Sequence, residues 1–100
     1  MVRITEDEKD LIDKVEDMVC EYFNVQCQSI INRDMTSQAS LARGYIFYIL
    51  HVNYKLSISK IANTYQRQKR VVFWHINKIK HLLKQRMYKE TYYNICKDAK

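Results

Sequence analysis

A chain of 100 residues with one glycine and no proline has few ways to turn sharply, and that decides its fold class. Sheet-rich folds need glycine, asparagine or aspartate at tight hairpins. Phosphate-cradling loops need several glycines so that backbone can approach the ligand. Helices need neither, so an all-α fold of five or six helices is expected. Apolar residues are 47% of the sequence, enough to fill the core of one domain spanning 1–100. No run of about 18 or more apolar residues occurs, so no membrane span is expected. The segment MVRITEDEKD is acidic where a secretory signal is basic and then apolar, which points to the cytoplasm. Cys20, Cys27 and Cys96 are odd in number and far apart, and no CxxC or HxxxH accompanies them. They read as small apolar fillers, and neither metal nor cofactor is expected.

Periodicity places the helices. Thr5 and Glu8 fit a capping box, and the acids from Glu6 to Glu8 suit the positive end of a helix dipole. Leu11, Ile12, Val15, Met18, Val19, Tyr22 and Phe23 then recur at three- and four-residue spacing, one apolar face ending near Asn24. A short helix is expected from Val25 to Ile31, and a loop over the polar stretch NRDMTSQAS, with Thr36 or Ser37 as the next cap. The helix from about Gln38 to Asn53 is apolar nearly all round and should be central and buried. Gly44 inside it suggests close helix packing or close backbone approach. Ser57 caps a helix holding Ile58, Ile61, Ala62 and Tyr65, and Gln66 to Gln68 turn. A long helix from Lys69 buries Val72, Ile76, Ile79 and Leu83. A last short helix covers Met87 to Cys96.

Charge is divided unevenly along this order. Residues 1–50 hold five Lys/Arg against nine Asp/Glu, whereas residues 51–100 hold twelve against two. No acidic side chain lies between Met35 and Lys89. Such asymmetry is the footprint of a surface that meets a polyanion. The acidic first helix would be repelled by phosphate and reads as a support.

The helices after Ser57 and from Lys69 are two or three residues apart, the arrangement of a helix-turn-helix over about 57–86. A small residue belongs where the two cross, and Ala62 is there. Ten residues later Val72 plugs the crossing; a shift to Phe73 would draw Lys80 into the core. Gln66 stands where a turn glycine is usual. The second helix of such a motif enters the major groove by its N-terminal end. Gln68, Lys69 and Arg70 then face base edges, with Trp74 and Asn77 one turn further on. Lysine or arginine suits guanine O6 and N7, and glutamine suits adenine. Lys55, Lys60, Arg67 and Lys78 would flank the groove and neutralise phosphates.

From about Leu11 to Arg86 the chain resembles the C-terminal DNA-binding domain of the bacterial replication initiator DnaA, a Trp-repressor-like fold. The matching stretches are VEDMVCEYFNV, LAR ending at Arg43, SISKIANTY, and the basic helix that follows. The resemblance implies recognition of double-stranded DNA by the helix from Lys69. It also assigns a DNA contact to Arg43, which falls on one of the family's DNA-contacting arginines. The family's signature has a glycine pair, then arginine, aspartate, histidine and two threonines, the last four reading the initiator box. Here Gln66, Arg67, Gln68, Lys69, Arg70, Val71 and Val72 stand in their place, so the initiator box is not the expected target. In the loop before the central helix, only Arg33 stands near the family's second basic contact. The family's ATPase domain has no counterpart in these residues. The expected role is that of a stand-alone, nucleoid-associated module controlling replication or transcription in a phage, plasmid or mobile element.

Two other classes compete. A protein-interaction module that kept the fold and lost DNA binding would use the aromatics of VVFW, Phe73 and Trp74, to hold a partner or a second copy. An enzyme would need a partnered histidine, and His51, His75 and His81 have no Cys, Ser or Asp at a meaningful spacing, so no catalysis is expected. Stacking of Trp74 and the tyrosines on unpaired RNA bases is a further alternative. The tyrosines, however, follow core spacing.

Overall fold

The computed structural model describes residues 5–25 and 37–97. Beyond Val25, the short helix expected up to Ile31 lies outside the described residues, as do Cys27, Arg33 and Thr36. The described residues are all-helical, with five α-helices and no strand.

α1 (Glu6–Phe23) starts where the caps demand. The Glu8 N–H donates to Thr5 Oγ1 at 3.1 Å, and the Thr5 N–H donates to Glu8 Oε1 at 3.0 Å. Asn24 ends the helix in the left-handed conformation, its N–H turned back on the Cys20 and Glu21 carbonyls. The buried face is Ile12, Val15, Val19 and Cys20; Tyr22, expected among them, is exposed.

α2 (Ser37–Tyr48) is the centre of the molecule, packed against α1 on one side and α4 on the other. Ala39, Ala42, Tyr45, Ile46 and Phe47 are buried along it. Its last turn departs from the expected α-helix: Ile49–Asn53 is a π-helix, closed by a bond from the Tyr54 N–H to the Ile49 carbonyl. The Leu56 N–H then donates to the Leu50 carbonyl at 3.0 Å, and His51 Nδ1 donates to the Leu56 carbonyl at 2.8 Å. These bonds fold the exit from α2 back so that Leu56 is buried.

Ser57 caps α3 (Ile58–Tyr65) by accepting the Lys60 N–H at 3.1 Å. The stop is Gln66 at φ 52°, ψ 48°, a left-handed residue that carries the chain into α4 (Lys69–Leu82). A non-glycine side chain in that region is strained, so Gln66→Gly is expected to raise stability by about 0.5–1 kcal/mol in urea unfolding. A loss of stability there would show that the Gln66 side chain contributes more than the strain removes.

Along α4, Val72, His75, Ile76 and Ile79 are buried. Leu83, expected to continue that face, is only partly buried, because the helix ends at Leu82 and Leu83 serves as its cap. Val72 rather than Phe73 fills the crossing: Val72 is wholly buried and Phe73 exposed, which also leaves Lys80 in solvent. α5 (Arg86–Lys97) is anchored by Ile95 in the core. The Tyr45 hydroxyl donates to the Tyr88 carbonyl at 3.0 Å, and the Tyr92 hydroxyl to Asn53 Oδ1 at 2.5 Å. No described helix is long and apolar enough to cross a membrane.

Candidate nucleic-acid interface

The turn from Gln66 to Gln68 brings the outer face of α3 against the first turn of α4. Between them runs an open groove lined by Ser59, Ala62, Asn63, Arg67, Gln68, Lys69 and Arg70. Three cations border this groove and no acid does. α4 begins here, and its unpaired N–H groups and helix dipole add positive potential to that of the side chains. No acid occupies the first turn of α4 to offset it.

Gln68 is the cap residue of α4 in an extended conformation, and its side chain makes no capping bond. Instead its Oε1 accepts Arg70 Nε at 2.7 Å. Lys69 and Arg70 are exposed. Trp74, one turn on from Arg70, is 55% exposed, and Phe73 beside it 53%. Lys78 Nζ lies 5.0 Å from the centre of the Trp74 ring, a cation–π contact that holds both side chains on one face. Asn77 is half-buried on the same helix. Gln68, Lys69, Arg70, Trp74 and Lys78 therefore share a continuous surface running from the groove along the outer side of α4.

Three of the expected phosphate contacts lie elsewhere. Arg43 is 3% exposed, beneath the surface near His75 rather than on it, because the face of α2 that carries it is covered by α4. Lys60 points to α1: its Nζ is 2.7 Å from Glu8 Oε2, and that pairing is the main reason the Glu8 carboxyl is held below its ordinary range. Lys55 is exposed at φ 61° in the connection before α3, outside the groove. Arg67 lines the groove and is half-buried.

His75 was not among the residues expected to be buried, yet it is 7% exposed, edge-on to Phe47 with ring centres 5.5 Å apart. Burial pushes its pKa down to about 4, aided by the positive charges of Arg43, Lys78 and Arg67. The ring is neutral at pH 7, and cations from three segments converge around it. Its spacing of three from Val72 and four from Ile79 was the signal that could have placed it. Ser59 and Asn63, opposite the basic residues, were also missed. They are four apart on the side of α3 away from Ile61 and Tyr65, a pattern that charge alone does not reveal.

No family model matches this sequence, and no curated protein matches it. Among the described residues no three His, Cys, Asp or Glu side chains come together as a metal-ligating group. His51 and His75 are engaged in a backbone hydrogen bond and in ring packing respectively.

Proposed function

We propose that the chain binds double-stranded DNA through a helix-turn-helix of α3 and α4, with the N-terminal half of α4 in the major groove. The observation that carries this reading is the groove at the start of α4, where Arg67, Lys69 and Arg70 meet with no acid beside them. Phosphates bordering a major groove would meet these cations and the helix terminus together. Arg70 and Gln68 reach base edges, with Trp74 and Asn77 further along, while Arg67 and Lys78 neutralise phosphate. Arg43 stays beneath, buried near His75. The likeness to the DNA-binding domain of DnaA favours the same use of the two helices. A role in replication or transcription control of a phage or mobile element is the setting we propose with it.

A fluorescent random 30-base-pair duplex pool, titrated at 50 and 200 mM salt, tests the reading. Three phosphate-facing cations, Arg67, Lys69 and Lys78, predict roughly a fortyfold loss of affinity between the two salts for the native chain. Lys69→Ala/Arg70→Ala should bind more weakly and lose only about tenfold. Equal binding and equal salt response of the two proteins would overturn the assignment of α4. A second reading, a protein-interaction face, is favoured by the exposure of Phe73 and Trp74 together. Self-association that is insensitive to salt and lost in Phe73→Ser/Trp74→Ser would support it.

A further inference from the structure

The aromatic surface of α4 has a specific chemistry. Trp74 borders a small cleft with Arg70 and Val71. Its ring is held by Lys78 Nζ at 5.0 Å and by the edge of His75, 5.0 Å away at 78° between ring planes. Arg70 is held as well: its Nε donates to Gln68 Oε1, which leaves the two terminal nitrogens for an end-on pair of hydrogen bonds. That fork matches guanine O6 and N7. Arg70 and Trp74 are one helical turn apart, about 5–6 Å between their Cβ atoms, with Val71 flooring the space between. The space is lined by Val71, Trp74 and Arg70, and the surface it exposes is almost wholly apolar. The base edges of the major groove are polar except for the C5-methyl group of thymine, which 5-methylcytosine shares. The core of a protein interface is depleted of charge, yet Arg70 borders the cleft beside Trp74 and Lys78 lies over the Trp74 ring.

We propose that the cleft formed by Arg70, Val71 and Trp74 recognises a C5-methylated pyrimidine stacked beside a guanine that Arg70 contacts. This rests on the DNA-binding reading above and names the base chemistry that the same surface selects. The methyl group displaces water from the apolar cleft, and the guanidinium holds the neighbouring base.

The test uses four 30-base-pair duplexes of otherwise identical sequence. Their repeated pyrimidine–guanine steps carry thymine, uracil, cytosine or 5-methylcytosine. Burial of one methyl predicts binding roughly fourfold tighter to thymine than to uracil, and to 5-methylcytosine than to cytosine. Trp74→Ala should remove both differences, with circular dichroism checking that the exposed position has left the helices intact. Arg70→Lys, which keeps the charge and loses the fork, should diminish them. A preference in only one of the two pairs supports the proposal and assigns the source of the methyl group. Equal affinity within both pairs, with salt-dependent binding to all four duplexes, overturns the cleft assignment and leaves the DNA-binding reading standing. No binding to any duplex overturns both.

Discussion

Acidification from pH 7 to pH 4 is expected to remove about 3 kcal/mol of folding stability through His75 alone. In the folded protein its pKa is down at about 4, whereas an unfolded histidine titrates at its ordinary 6.5. Between those values the unfolded chain binds a proton that the folded chain refuses. The contribution is therefore fully present above about pH 6.5 and is lost progressively as the pH falls through that window. Against a total of about 5–15 kcal/mol for a domain, this is a large fraction. Glu16 works in the opposite direction, since burial raises its carboxyl pKa even though its Oε1 accepts the Tyr65 hydroxyl at 2.5 Å. Tyr45 and Tyr92, both pushed up to about 12, do not titrate in this range. The measurement is urea unfolding at pH 7 and pH 4 of the native chain and of His75→Gln. The difference between their acid losses isolates the imidazole. An acid loss as large in the variant as in the native chain would mean that His75 is not the group responsible.

Filling the space beside Gly44 should be comparably damaging. A Cβ at this position would lie 2.9 Å from Ile79 Cγ1, closer than real Cβ atoms approach a neighbour, and 3.0 Å from Cδ1, itself an unusually tight contact. Ile79 is fully buried and β-branched, so it cannot swing aside. Alanine gains about 1 kcal/mol of helix propensity and incurs about 1–3 kcal/mol of overpacking, for a net loss of about 1 kcal/mol. Valine adds two more methyls in the same place and should lose about 3 kcal/mol. Thermal and urea unfolding of Gly44→Ala, Gly44→Val and Gly44→Ala/Ile79→Ala reads this directly. The double variant should be less destabilised than the sum of its single changes, because removing the Ile79 branches opens room for the new Cβ. Strict additivity would locate the strain somewhere other than this contact.

What the sequence revealed and what it hid divide along a physical line. Helix ends were legible because their causes are local: Thr5 with Glu8, Ser57 three residues before the N–H it accepts, and a left-handed residue at Asn24. The cluster of Gln68, Lys69 and Arg70 was legible for the same reason, since the three are consecutive in sequence at the start of a helix whose buried face begins only at Val72. The side chains that went elsewhere were taken by partners distant along the chain. Lys60 finds Glu8 fifty-two residues away, and Arg43 is covered by α4. No spacing rule announces either. The widened turn at Ile49–Asn53, which no residue spacing marks, is followed by the buried Leu56. Gln66 shows the reverse: a residue poorly suited to its backbone conformation, placed there because α3 and α4 both need the chain to turn at that point.

The bridge from Lys60 to Glu8 has a further consequence. It ties α3, from the basic half of the chain, to an α1 whose exposed residues include many carboxylates, so acidic and basic surfaces belong to one packed body. A body with its charges separated in this way experiences a torque in the field of any long polyelectrolyte. Near a polyanion the basic surface would be turned forward while still roughly a Debye length, about 8–10 Å, from contact. Alignment thus precedes touch, and raising the ionic strength shortens the distance over which the molecule can be aimed.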